Sequence, residues 1–302
     1  MGKFSTMSIS ILIPTYNYDC TKLVKDVQMQ AESRGLDYEI IIGDDGSTDG
    51  NIVSKLVELC SHSRCKLHRV KRNVGRASIR NMIGHEATYD NLLFMDSDAE
   101  LVASNFLDSY LKAIQSHDLV SGIISHSATP PSSDKMLRYE YEKSCEKHFT
   151  AHNLNKMPYA PFSTFCFMIR KELFSQFNFD ESFIGYGYED VMYGKLLREH
   201  GHKVYYIDTP LQHNGMEPNV KFIEKTETAL KTLKIHSEEL KDEVKLLRFV
   251  NKLNKFCVSG LVRILLKPFL NSMRENLCSD EANLQWLNLY KLGYYLNEKI
   301  IR

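Results

Sequence analysis

Short runs of aliphatic and β-branched residues recur along the first hundred positions, and each stops on polar, turn-forming residues. They are SISILIP (8–14), YEIIIGD (38–44), CKLHRV (65–70) and NLLFMD (91–96). Between them lie stretches of helical length at 19–33, 49–60 and 75–87, the first with Leu23, Val27 and Ala31 on one face. Strands that are apolar throughout need cover on both faces, and intervening helices supply it. The pattern predicts an α/β chain on a parallel sheet, with further strands at 119–125, 162–169 and 203–208. Ligands in such sheets sit beyond the carboxyl ends of the strands. Polar clusters fall at those ends: PTYN after the first strand, DDGSTDG after the second, DSD after the fourth.

A chain of 302 residues holds one large α/β domain, or one with a substantial appendage, without stapling. Its 38 basic and 38 acidic residues balance, so no global field points to nucleic acid. The seven cysteines are scattered and form no C-x-x-C pair, which fits a reduced, intracellular protein. The start MGKFSTMSISILIPTYN shows no cleavage-site pattern, and no apolar segment reaches bilayer-spanning length. These features predict a cytoplasmic protein.

Residues 126–160, with SATPPSSD and RYEYEKSCEKHF, lack clear periodicity and read as a loop with a short helix, a lid in form. The stretch FIGYGYEDVMYGKLL (183–197) puts two glycines and two tyrosines before Glu189 and Asp190 at the start of a helix. From about 219 the pattern turns helical. Ile223, Leu230, Leu233, Leu240, Val244 and Leu247 predict one long amphipathic helix. Between Lys245 and Arg274 there are seven basic residues, no acid, and Leu and Phe in the gaps, a composition suited to an anionic membrane surface or to a solvated helix face. The division expected is 1–218 and 219–302.

Taken singly, the motifs are ordinary. Asp96-Ser97-Asp98 can bring two carboxylates onto a hard divalent cation, or simply cap a helix. In DDGSTDG, Asp45 can accept a hydrogen bond from a base imide, while Ser47 or Asp49 can cap the next helix. Arg76 and Arg80 lie one helical turn apart and can hold phosphate oxygens, or face water. His213 is expected in a polar turn after a strand, where most histidines are not ligands. Tyr16, Tyr186 and Tyr188 are platforms or core residues.

Taken together and in order, SISILIPTYN, IIIGDDGSTDG, NVGRASIRN, NLLFMDSDAEL and FNFDESFIGYGYEDVMYGKLLREHGHKVYYI resemble inverting glycosyltransferases of family 2 with the GT-A fold, over about residues 8–215. The resemblance implies a nucleotide-binding α/β domain at 1–218 with a helical extension at 219–302. It implies that Pro14, Thr15, Tyr16, Asp45, Arg76, Arg80, Asp96 and Ser97 hold a nucleotide-sugar donor. Asp96, Asp98 and His213 would hold Mn²⁺ or Mg²⁺. GYGYED is similar to the G-W-G-x-E-D segment of galactosyltransferase-like and chondroitin-polymerase-like members, with Tyr186 in place of Trp. That likeness implies Asp190 as general base, Glu189 orienting hydroxyls, and Gly185, Tyr186 and Gly187 against the sugar.

The implied donor is a UDP-sugar (UDP-Gal, UDP-GalNAc, UDP-GlcNAc or UDP-Glc), and the implied acceptor a glycan or lipid-linked glycan, approached from the side of 126–160. Absence of a Q-x-x-R-W motif favours addition of a single sugar. Peripheral attachment to the cytoplasmic membrane face through 245–274 would suit a lipid-linked acceptor. The alternatives are a non-catalytic nucleotide-sugar-binding scaffold and a nucleotidyltransferase; the latter wants a Gly-rich basic loop where PTYN stands. No G-x-G-x-x-G follows the first strand, which argues against dinucleotide redox chemistry.

Overall fold

The computed structural model describes residues 7–61, 64–157 and 161–298. They fall into two compact units. One comprises Met1–Ser127, Glu146–Ser182 and Tyr193–Gly215; the other comprises Ala128–Cys145, Phe183–Met192 and Met216–Arg302.

The first unit is built on an eight-stranded sheet. Its strands are β1 (Ser8–Thr15), β2 (Asp37–Asp44), β3 (Cys65–Arg69), β4 (Asn91–Met95), β5 (Ala99–Leu101), β6 (Leu119–Ser125), β7 (Cys166–Arg170) and β8 (Tyr205–His213), in the order β3-β2-β1-β4-β7-β6-β8-β5. β1 runs parallel to β2 and β4, and β2 parallel to β3, as the alternation of strands and helices predicts. The expectation of a wholly parallel sheet needs correction. β7 is antiparallel to both β4 and β6, and β5 is antiparallel to β8. Strand direction follows from the route of the connection, which apolar content does not encode.

Side chains alternate across the sheet. Ile9, Ile11 and Ile13 of β1 face one core layer with Leu23, Val27 and Phe106; Leu12 faces the other with Phe94, Phe167 and Phe174. The helix Arg76–Glu86 lies so close over β2 that a Cβ at Gly43 would come 2.9 Å from the Ile83 side chain. The helix Phe106–Ala113 and β5 are elements the sequence reading omitted. Both are short, and one of them carries a single apolar turn. Cys60 and Cys65, outside any C-x-x-C pattern, bring their sulfurs to 2.8 Å.

The second unit is helical, and two expectations change there. The segment read as a loop with one short helix holds a 3₁₀ turn, Ser133–Lys135, and the helices Met136–Glu146 and Ala151–Lys156; positions 158–160 lie outside the described residues. Only its residues 128–145 belong to this unit. The single long helix expected from 219 onward stops at Ile235, and a new helix, Lys245–Lys255, begins beyond a turn-rich stretch. Leu230, Leu233, Leu240 and Leu247 still share one buried cluster, so the apolar spacing reports a common core rather than one rod. The helices Ser259–Leu266, Leu270–Cys278 and Leu284–Asn297 complete the unit.

Candidate functional site

The carboxyl ends of β1 and β2 are tied together by backbone and side chain. Thr15, the last residue of β1, is buried and pairs with Asp44, and its carbonyl accepts from the Asp45 N–H at 2.9 Å. Pro14 pairs with Gly43, and Tyr16 projects, about half exposed. Asn17, in the left-handed region at φ 49°, locks PTYN to DDGSTDG. Its Oδ1 accepts from the N–H groups of Thr48 and Asp49 at 2.8 and 3.1 Å, and its own N–H donates to Ser47 Oγ at 2.8 Å. The Asp49 carboxylate caps the helix Gly50–Leu59 from below, accepting from Asn51 N–H at 2.9 Å, so the capping reading of that residue holds.

Asp44 and Asp45 are both buried and differ in task. Asp44 accepts from Ser47 N–H and from Arg69 Nε, each at 2.9 Å, and so braces the loop. Asp45 accepts from the N–H groups of Val74 and Gly75 at 2.7 and 3.1 Å. Burial pushes its carboxyl up, against the pull of those two donors. Each carboxylate oxygen has two lone pairs, so Asp45 keeps capacity to accept from a ligand. Gly46 is required here: at φ 74° a Cβ would lie 2.6 Å from the Arg72 carbonyl carbon.

Arg76 and Arg80 stand one turn apart on the helix Arg76–Glu86 but have different surroundings. Arg76 is exposed, whereas Arg80 is buried, its Nη2 donating to Asp96 Oδ1 at 2.7 Å and its guanidinium 5.7 Å from the Phe179 ring centre. Asp96 lies just past β4, in the turn Asp96-Ser97-Asp98 that leads into β5. Burial pushes its carboxyl up, opposed by the charges of Arg80 and Arg76 and reinforced by Asp98.

Asp98 meets His213, the final residue of β8 rather than a member of the turn beyond it, because β5 and β8 pair Ala99 with His213. Asp98 Oδ2 and His213 Nε2 are 3.2 Å apart. Two ligand atoms about 2.1 Å from one octahedral cation, at right angles, are about 3 Å apart. The pair therefore fits the coordination of one divalent ion, and an imidazole beside carboxylates suits Mn²⁺ better than Mg²⁺, which favours oxygen. His213 is held edge-on by Phe165, ring centres 5.4 Å apart.

Three neighbours were not found from sequence. Gly215 backs Asp98 so closely that a Cβ would come 2.1 Å from Asp98 Oδ2. The half-buried Tyr18 phenol is pushed up by burial and by the charge of Asp98. His126, buried one residue past β6, has Nδ1 at 3.2 Å from Glu146 Oε2 and a ring nitrogen within 4.8 Å of one on His213. A usable signal existed for His126 alone, as a polar residue directly after a predicted strand.

In the second unit, the turn GYGYED adopts a run of unusual backbone. Gly185, Gly187 and Tyr188 have φ of 115°, 97° and 71°. At Gly187 a Cβ would lie 2.8 Å from Ala229 Cβ on the helix Asn219–Ile235, so only glycine fits. Lys225 stands 5.5 Å from the Tyr186 ring centre. Tyr188 turns into the core, where burial raises its phenol, and its carbonyl accepts from Met192 N–H at 3.0 Å. Glu189 is buried, while Asp190 is partly exposed in the first turn of the helix Glu189–Glu199, accepting from Val191 N–H at 2.8 Å. A carboxylate there is favoured by the helix dipole.

Comparison with known proteins bears on the family and the fold. A family model described as glycosyl transferase family 2 matches residues 10–177. A protein of Haemophilus influenzae described as an uncharacterized glycosyltransferase is 32% identical over 114 residues, 37% of this chain and 44% of that one. A Rickettsia bellii protein of the same description is 28% identical over 120 residues, 40% of this chain and 16% of that one. The chain thus spans less than half the length of these curated relatives. Among solved structures, the mannosyltransferase PcManGT from Pyrobaculum calidifontis, in complex with GDP-Man and Mn²⁺, superposes with a TM-score of 0.56 at 15% identity, over 97% of this chain and 75% of that one. At that identity the likeness speaks for the fold, a mixed α/β sheet flanked by helices, of the GT-A kind. The family model spans β1 through β7 and takes in more than half of the chain, so this protein belongs to glycosyl transferase family 2.

Proposed function

We propose that the chain transfers one sugar from a nucleotide sugar, a UDP-sugar by resemblance, to a hydroxyl of a glycan or lipid-linked glycan, inverting the anomeric centre. The observation that carries this reading is the pairing of Asp98, in the turn between β4 and β5, with His213 at the end of β8, 3.2 Å apart, beside the Arg80–Asp96 pair. Such a set can hold a divalent cation and a diphosphate. A relative in fold is described with GDP-Man and Mn²⁺, which supports a metal-assisted nucleotide-sugar reaction here.

In this reading Asp45, Thr15 and Tyr16 take the base and ribose. Arg76, an exposed residue one turn before Arg80, takes diphosphate oxygens, and Arg80 orients Asp96. Mn²⁺, when bound, would offset the charge that develops on the departing nucleoside diphosphate. Asp98 and His213 would fix its position. Asp190 is assigned the base that takes the acceptor hydroxyl proton as the new bond forms, and Glu189 the orientation of hydroxyls. Residues 1–218 would carry the donor chemistry and 126–160 the acceptor side.

The test is release of UDP from a panel of UDP-sugars, with and without Mn²⁺ and with candidate acceptors. Metal-dependent release from one donor, with an inverted product by NMR, is the expected result. Tight UDP-sugar binding with no turnover under any acceptor would favour a binding scaffold. Release of pyrophosphate from a nucleoside triphosphate and a sugar phosphate would replace this reading with nucleotidyl transfer.

A further inference from the structure

The helix Ser259–Leu266 has apolar residues on both of its sides. Val262 and Leu266 pack into the core of the helical unit. On the opposite side, Leu261, Ile264 and Leu265 are each more than half exposed, and so are Phe256 just before the helix and Phe269 just after it. A helix that is apolar all round is normally buried, and a contiguous exposed patch of large aliphatic and aromatic side chains marks a contact surface.

The cations around this patch are placed to match. Lys252, Lys255, Arg263 and Lys267 are all exposed, and none takes part in an ion pair among the described residues. No acidic residue occurs from Lys245 to Arg274.

The local backbone explains how these residues come to share one corner. The helix Lys245–Lys255 ends in a Schellman motif, with Cys257 at φ 58°, its N–H on the Asn254 carbonyl at 2.9 Å and the Val258 N–H on the Leu253 carbonyl at 3.0 Å. The next helical stretch leaves at 115° to the first. Phe256 sits at the apex, with lysines before it and the apolar face of Ser259–Leu266 after it. No single described helix is long and apolar enough to cross a membrane.

We propose that this corner, Phe256 to Phe269, docks on the surface of an anionic phospholipid bilayer, its apolar side chains in the acyl boundary and its lysines and arginine at the headgroups. Charge selects this occupant over a second copy of the chain. In a two-fold dimer through this face the four cations would oppose four like charges, which disfavours association. Long basic side chains flanking an apolar wedge instead fit a surface that is apolar below and negative above. The inference is independent of the donor chemistry and stands or falls separately from it.

The experiment is co-sedimentation of the full chain with phosphatidylcholine vesicles, with and without phosphatidylglycerol, at low and high salt. Binding is expected only to the phosphatidylglycerol vesicles, weakening at least tenfold as salt rises. Ile264→Glu with Leu265→Glu should weaken it at least tenfold. Both positions are on the outer side, so the melting temperature should hold. Lys252→Glu with Lys255→Glu and Lys267→Glu, which touches no apolar residue, should weaken it by about a hundredfold at low salt and flatten the salt dependence, given about fivefold per basic residue. Equal binding by these variants, or no binding by the wild type, would overturn the proposal. So would a concentration-dependent dimer in sedimentation velocity that Ile264→Glu abolishes, since the face would then belong to a second copy.

Discussion

The sheet unit and the helical unit treat their special residues in opposite ways. At the strand ends of the first, nearly every polar group is engaged by another: Asp44 by Arg69, Asp45 by two backbone amides, Asp96 by Arg80, Asp98 by His213. In the second, the unusual residues are apolar ones left in water on the helix Ser259–Leu266. Buried polar groups need partners, or they cost more than the fold can supply. The strand-end network is thus organised before any ligand arrives, with acceptor capacity left over at Asp45. The exposed apolar corner lowers its free energy only when something else covers it. One unit has its polar groups paired, and the other leaves apolar groups exposed.

The first way to break that contrast is to remove one member of the strand-end set. Asp98→Ala should reduce Mn²⁺-dependent UDP release by about a thousandfold, as loss of charge stabilisation behind a leaving group would. A drop of less than tenfold in steady-state assays would show that the Asp98–His213 pair does not serve the reaction.

Asp190→Asn sharpens the comparison from the other unit. Turnover should fall by about 10² to 10⁴, because the base acts only as the bond forms, while UDP affinity by calorimetry stays the same. If affinity fell as far as in Asp98→Ala, the separation of donor binding from proton transfer would be wrong.

Gly215→Ala tests how rigid the preorganised set is. The added methyl would meet Asp98 Oδ2 and must turn that carboxylate aside. Mn²⁺ affinity by titration calorimetry should fall by about tenfold, in the range seen when ligand-supporting groups are altered. An unchanged affinity would mean that Asp98 has a second, equally competent rotamer.

The smallest effect concerns the helical unit. Burial pushes the Lys291 ammonium, 4.5 Å from the Tyr141 ring centre, down to about 8 from its ordinary 10.5. Between those values the unfolded chain binds the extra proton, so this lysine adds stability as pH rises through the window. Lys291→Met should remove that slope and raise the melting temperature at pH 7 by a few degrees, about what a kilocalorie gives in a protein of this size. Denaturant titrations at pH 7 and pH 9 read the slope, and a thermal scan at pH 7 reads the melting temperature. Identical pH slopes in wild type and variant would place the lysine in water.

Much of the sheet unit was legible because its signals are local. β1, β2, β4 and β6 fall where apolar runs stand between turn residues, and Asp49 caps as an aspartate before a helical run should. Partners that depend on the route of the chain were not read from it. His126 and Gly215 reach the Asp98–His213 neighbourhood through the ends of β6 and β8, and Asn17 locks two loops thirty residues apart. In the helical unit the seven-residue spacing was real, yet the helix it implied is broken between Ile235 and Lys245, since one core can be lined by several short helices as well as by one long one.

The order of apolar runs and polar clusters along this chain determined that a sheet would form, where its ligand-facing ends would fall, and to which family it belongs. Those properties need only neighbours in sequence: side-chain period, turn chemistry, and motif spacing. The tertiary structure alone decided that β7 runs against β4, that Arg80 is buried against Asp96 while Arg76 stays exposed, and that the outer side of Ser259–Leu266 stays bare. Each of these depends on which distant segment arrives to cover or pair a residue, and burial is a property of the assembled chain, not of the residue buried.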